Sequence, residues 1–263
     1  MKRIIASVIL LLILTGCTHY YYIPNAQNVP LFRDKNEFRV ALSAGGGDET
    51  NFVGFHSAYA VTNHIGVAAN YMYGYGGRKN DGNDWARGHY LDAALGYFQQ
   101  IDKHGVFEVF AGVGSGNQHH EYQFSHSSFG GGSQPNTFGS ADLPFTKYYI
   151  QPSIGITYFG FDLAVTSAFA LLSFNEVKKN MDMSESEYRV LDAIDQNRTS
   201  LMFEPGITVR GGWQFLKGQI QLLGVINTSG KDLKFEKNES SISLYFAFAE
   251  RYHWGKKKKK LVN

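Results

Sequence analysis

A period of two runs through almost the whole chain, and it narrows the possible folds more than any other feature. Phe38, Val40 and Leu42 alternate with Arg39, Ala41 and Ser43. Ile65, Val67, Ala69, Tyr71, Tyr73 and Tyr75 alternate with Gly66, Ala68, Asn70, Met72 and Gly74. Leu91, Leu95 and Tyr97 alternate with Asp92, Ala94 and Gly96, and Phe107, Val109 and Val113 with Glu108, Phe110 and Gly114. Successive side chains of a strand point to opposite faces, so each run has one bulky apolar face and one small or polar face. Ten such segments can be counted between Glu37 and Trp254. Most are about ten residues long, and a tilted strand needs about 9–11 to cross a bilayer.

The spacers between them come in two sizes. Thr62 to His64, Ile101 to Gly105, Phe159-Gly160 and Leu216 to Gly218 are short. Gly76 to Gly88, Gly116 to Lys147, Ser173 to Ser200 and Thr228 to Ser240 are long, with Gly45 to Thr50 the short exception among them. Short turns on one side and long loops on the other predict an all-β, antiparallel up-and-down meander that closes as a transmembrane barrel. The expected strand count is ten, with eight as the alternative. Closure also answers the requirement that backbone N–H and C=O groups in lipid be paired within the protein. A soluble lipocalin-like barrel or sandwich would place the apolar face inward, yet the other face here carries few Lys or Glu and would make a poor solvated surface.

The N-terminus supplies an address. Lys2 and Arg3 precede an apolar run from Ile4 to Leu14, which is too short for a bilayer-spanning helix and of the right length for a signal peptide. Leu14-Thr15-Gly16-Cys17 resembles the lipobox of bacterial lipoproteins. That resemblance implies removal of residues 1–16 and lipid, palmitate included, on Cys17. Cys17 is the only cysteine, so an internal disulfide, a CxxC redox site and a cysteine metal site are all excluded. Residues 17–36 carry Pro24, Pro30 and no period, and read as a tether from the lipid to a barrel domain over 37–254, followed by a basic tail, 255–263. An even strand count puts both ends of the barrel on the short-turn, periplasmic side, so the lipid is expected in the inner leaflet of the outer membrane. Tyr20, Tyr21 and Tyr22 would suit a membrane interface, or equally a tether packed on the surface of the domain.

Composition agrees with strands in a membrane. Charged residues are 18%, aromatics 15%, and Gly numbers 29 of 263. With Lys2 and Arg3 removed, 23 basic residues face 23 acidic ones, and five of those basics are the run Lys256 to Lys260. The remaining body has a slight acidic excess and no electrostatic footprint for nucleic acid. The lysine run is a solvated tail or a contact to anionic head groups.

The segment from Glu37 to Trp254 resembles the small outer-membrane β-barrel families of Gram-negative bacteria, most of all the barrel proteins common in Bacteroidetes. The resemblance rests on the strand pattern and implies short periplasmic turns, long external loops and an outer-membrane location. Barrels of this kind often end on an aromatic residue, whereas here Phe246, Phe248, Tyr252 and Trp254 are followed by GKKKKKLVN.

Several charges fall on the inward phase: Arg39, Asp92, Glu108, Asp162, Glu204 and Arg210. Buried charges need partners, so Arg39 and Arg210 are expected to pair with Asp92, Glu108 and Glu204 in a lumen network. A pore constriction or a catalytic carboxylate set is the functional alternative. His119, His120, Glu121 and His126 lie in the expected loop 116–147. Their spacing, HHExxxxH, is not the HExxH of zinc hydrolases, and no metal or other cofactor is implied. His56 has no Ser or acid partner close in sequence. Barrel enzymes that act on lipid A or cleave peptides use rim His with Ser, Asp or Glu, and none of them matches residue by residue. Gly112, Gly114 and Gly116 mimic a phosphate loop without the helix such a loop needs. Met181 to Arg198 has helical spacing through Met183, Tyr188, Leu191 and Ile194 and is expected as a short helix capping the barrel mouth or facing a partner.

The function expected is thus a lipid-anchored outer-membrane barrel with a structural, adhesive or binding role. Its partners would be outer-membrane lipid and an extracellular ligand or protein met through loops 116–147 and 173–200. Three alternatives stay open: a lipid-modifying or hydrolytic enzyme using His56 or loop carboxylates, a narrow channel gated by the lumen charges, and a tethered lipocalin-like carrier.

Overall fold

A computed structural model describes residues 20–77, 85–124, 137–180, 185–230 and 233–249. Cys17 and the lysine run lie outside them, as does His126. Ten antiparallel strands form a closed barrel: β1 (Phe38–Gly46), β2 (Thr50–Ala60), β3 (Ile65–Gly77), β4 (Trp85–Gln100), β5 (Gly105–Phe124), β6 (Thr137–Tyr158), β7 (Phe161–Phe174), β9 (Thr199–Gly212), β10 (Leu216–Gly224) and β12 (Asn238–Phe248). Two-residue strands β8 (Lys178–Lys179) and β11 (Ile226–Asn227) add to β6 and β9. Each strand pairs with its neighbour in sequence, β9 with β10, and β12 returns to β1 from Phe38↔Phe248 to Gly46↔Ser240. The ring has no free edge.

The two faces divide as the alternation requires. Outward stand Leu42, Val53, Phe55, Leu91, Leu95, Ile150, Ile154, Val165, Phe169, Ile207, Leu222, Ile242 and Leu244, each more than two-fifths exposed. Inward and buried are Ala41, Ser43, His56, Ala58, Ala60, Ala68, Asn70, Asp92, Ala164, Thr208 and Gln219. A polar interior inside an apolar belt suits a barrel in lipid, not one in water. Phe38 and Phe248 stack at the short-turn end (centroids 6.1 Å apart), where Tyr59, Tyr97, Tyr158, Phe159, Phe161 and Trp213 are also exposed. Tyr71, Tyr73, Tyr75 and Tyr148 are exposed toward the other end.

The hairpins reach further than expected. β5 has 20 residues and β6 has 22, about twice what a bilayer needs. His119, His120 and Glu121 therefore sit on strand β5, paired with Asp142, Ala141 and Ser140, and not in a loop. Above Val113 the outward phase of β5 turns polar (Ser115, Asn117, His119, Glu121) while the ladder continues. The sheet outlives the apolar belt because its backbone hydrogen bonds do not depend on lipid. Helix α1 (Glu185–Gln196) occupies the expected place and buries Leu191 and Ile194 over the mouth.

The largest departure concerns residues 20–36. They do not lead away from the barrel as a tether; residues 20–33 run through its interior and 34–36 are exposed at its short-turn end. Tyr21, Tyr22, Ile23, Ala26, Val29, Leu31 and Phe32 are buried to 4% exposure or less. The inward wall explains why. Small residues recur on it (Ser43, Ala58, Ala60, Ala68, Ala164 and Ala168), and between its larger polar side chains they leave an axial space that the strands do not fill themselves.

Candidate functional site

The interior is where this chain concentrates its polar chemistry, and the segment 20–36 organises it level by level. At the long-loop end Tyr21 donates its N–H to the Lys234 carbonyl (2.9 Å), and its hydroxyl meets the Tyr122 hydroxyl (3.0 Å) and Glu187 Oε2 on α1 (2.6 Å). The Tyr22 carbonyl accepts the Glu236 N–H (3.0 Å). Glu236 in turn accepts the Asp48 N–H (2.9 Å) and the Thr50 hydroxyl (3.0 Å), and burial pushes its carboxyl above the usual range. Loop 225–237 and the β1–β2 turn are thus tied together around the segment's entrance.

One level down, Lys147 Nζ lies 2.8 Å from Glu204 Oε2 and 2.7 Å from the Tyr22 hydroxyl, which donates to Glu204. In the middle, Gln27 donates its backbone N–H to Gln221 Oε1 (2.7 Å) and its amide to the Glu204 carbonyl (2.7 Å). Asn28 bridges the Ser57 carbonyl and Asn70 Oδ1, and Gln151 donates to the Asn28 carbonyl (2.8 Å). A cavity of about 20 Å³ between Asn25, Asp92, Lys147 and Glu204 has room for about one water.

Toward the short-turn end, Arg210 Nη2 donates to the Val29 carbonyl (2.5 Å), and the Pro30 carbonyl accepts from Arg39 Nε (3.2 Å) and the Tyr245 hydroxyl (2.9 Å). Leu31 takes a left-handed backbone (φ 51°) that turns its N–H and that of Phe32 toward the same Glu108 carboxylate, the latter at 2.7 Å. Such paired N–H groups make an anion nest. Phe32 packs on Phe98 (centroids 5.3 Å apart), and Arg33 reaches the Lys103 carbonyl in the β4–β5 turn (2.7 Å).

The expected lumen network therefore needs correction. Arg39, Asp92, Glu108, Glu204 and Arg210 are all buried in the lumen, but the two arginines do not pair with those three carboxylates. Arg39 pairs with Glu37. Arg210 bonds Gln219 Oε1 (2.7 Å), stands 3.9 Å from Asp162 and lies over the Tyr245 ring. Asp162 is held by Lys217 (2.7 Å). Glu204 belongs to Lys147, Glu108 to the backbone of the lumen segment, and Asp92 to the Tyr149 hydroxyl and Asn70 amide, both at 2.7 Å. Lys147 and Lys217 were missed as partners. Both stand on the inward phase of their strands, which was the available signal.

His56 does acquire partners that sequence distance concealed. Its Nε2 is 3.0 Å from Ser43 Oγ and its Nδ1 is 3.2 Å from Asn70 Oδ1, while Asn70 donates to Asp92 (2.7 Å). The order hydroxyl, imidazole, amide, carboxylate could activate a nucleophile. However, Ser43, His56 and Asn70 are all buried against the wall, and Asn28 of the lumen segment bonds the same Asn70 oxygen. Ending on Asn28, this chain of bonds serves as a hydrogen-bond network that seats the segment. At the extended end of β5, His119 lies between Asp142 (2.8 Å) and Glu121 (3.0 Å). Among the described residues no group of three or more His, Cys, Asp or Glu is placed to hold a metal ion.

No protein-family model matches the chain, and no curated protein matches it. Among solved structures it is similar to the outer-membrane protease OmpT from Escherichia coli, at 12% identity over 85% of this chain and 99% of that one, with a TM-score of 0.48. The translocator domain of the autotransporter NalP from Neisseria meningitidis aligns at 8% identity over 81% and 87%, with a TM-score of 0.41. LpxR from Salmonella typhimurium aligns at 8% identity over 80% and 99%, with a TM-score of 0.37. At these identities and scores the likeness carries nothing about chemistry. By its own closed ring, apolar belt and polar interior, the chain is a ten-stranded β-barrel of the outer-membrane type.

Proposed function

We propose that this protein is a lipid-anchored, integral outer-membrane barrel whose lumen is closed by its own N-terminal segment, and that it acts by binding or adhesion on its external side. The filled lumen carries this reading: residues 20–33 occupy the axis from Glu187 at one mouth to Lys103 at the other. Among the described residues the segment occupies the axis, and Ser43 and His56 are buried beside it, which argues against the channel and the lumenal hydrolase. The outward apolar belt argues against the tethered soluble carrier. What remains accessible is the extension of β4, β5 and β6 beyond the belt, with helix α1 beside it. The lipid on Cys17 rests on the Leu14-Thr15-Gly16-Cys17 motif.

The test is electrical. The intact protein in planar bilayers is expected to be silent, whereas a variant with residues 21–32 replaced by Gly and Ser should conduct. Steady channels from the intact protein would overturn the reading.

A further inference from the structure

The lumen segment has a direction. Read along the chain, its contacts descend: Tyr21 to Tyr122, Glu187 and Lys234; Tyr22 to Lys147 and Glu204; Gln27 to Gln221; Asn28 to Asn70; Pro30 to Arg39 and Tyr245; Arg33 to Lys103; Asn36 to the Ala60 carbonyl. Tyr122 lies near the C-terminal end of β5, and Glu187 is on the cap helix. Lys103 is in a short turn, and Ala60 ends β2 beside another. In a barrel of this type the long loops are external and the short turns periplasmic. The stretch from Tyr20 to Arg33 can extend about 43 Å at about 3.3 Å per residue, enough for a hydrocarbon core of about 30 Å.

We infer that the chain enters its own barrel from outside: Tyr20 stands at the external mouth and Arg33 at the periplasmic one, which puts the lipid on Cys17, three residues ahead of Tyr20, in the outer leaflet. This rests on the lipid anchor proposed above and reverses the expectation that an even strand count places the lipid in the inner leaflet. The strands do begin and end at the short-turn side, but the segment ahead of them crosses the membrane once more. Cys17 is three residues from Tyr20, a reach of about 10 Å. Returning to the periplasmic leaflet would require a second passage through a lumen already filled by Tyr21, Tyr22, Phe32 and their partners.

The experiment uses the full chain in cells, with Cys17 kept so that processing proceeds. His19→Cys and Thr18→Cys variants are treated with a membrane-impermeant biotin maleimide before and after permeabilisation, with Asn63→Cys in the β2–β3 turn as the periplasmic reference. The expected result is label at 18 or 19 in intact cells and at 63 only after permeabilisation. Label at both 18 and 19 only after permeabilisation overturns the inference, as does no label at either under both conditions. The mass of the peptide carrying Cys17 is read on the same samples. A free Cys17 thiol removes the lipid anchor and hence the leaflet assignment, while the label pattern still reports the side of exit, so the two failures are distinguishable.

Discussion

Lys147 and Glu204 show what one buried pair does in this interior. Each side chain is nearly inaccessible, and Tyr22 bonds both. Glu204→Leu strands an ammonium in the lumen and should cost about 3–5 kcal/mol, whereas Glu204→Leu with Lys147→Met should lie near wild type. Denaturant unfolding of wild type, the two single variants Glu204→Leu and Lys147→Met, and the double variant in detergent checks this, and additive losses would show that the pair is not coupled. Asp102 works differently, at the surface of a turn. Its carboxylate accepts the His104 N–H (2.7 Å) and the Gly105 N–H (2.5 Å), which hold its pKa below the ordinary value. Since the folded value is depressed, the turn's contribution to stability is present above the unfolded value and is lost as pH falls through the folded one. The amide resonances of His104 and Gly105 should shift together in that acid window, and Asp102→Asn should abolish the transition. The Asp102 turn is local, but the lumen partnerships could not be read along the chain, because Tyr22 and Glu204, or Ser43 and His56, meet only through barrel closure and register. Which residues face inward was legible; which inward residues touch was not.

At the scale of elements, the strands and the cap helix were readable because each has two chemically different faces. The lumen segment has none: surrounded on all sides, it carries no period, and its tyrosines and prolines look like those of a linker. The available clue lay in the wall. Gly66 leaves room for the Phe32 ring and Gly155 for Leu31 Cδ2 (2.9 and 2.8 Å from where a Cβ would stand). Gly66→Leu should therefore overpack this level and lower stability by about 1–3 kcal/mol, and adding Phe32→Ala should recover part of the loss. A lack of recovery would mean that Phe32 does not seat at Gly66. The extensions of β5 and β6 were hidden for another reason: Ser115, Asn117 and His119 end the apolar alternation, though the ladder between the strands goes on.

For the whole molecule, the belt predicts membrane integration that does not depend on lipid. A Cys17→Ala protein, exported by an ordinary signal, should resist carbonate extraction from the outer membrane; release as a folded soluble protein would mean that the lipid was the sole attachment. The topology also fixes an order of assembly. The first described residues lie inside a ring made entirely from residues that follow them, and the ring is shut where β12, the last of the described strands, meets β1 over nine paired positions. With Tyr21, Tyr22 and Phe32 buried among the wall side chains, the segment is a thread with knots, and drawing it into a closed ring would mean forcing those rings past the wall. The wall must be wrapped around the thread, with the final strand acting as the latch. What results is a mechanical interlock, a bead formed in place on its own string. Drawing the string out means first unzipping the seam between Phe38 and Phe248.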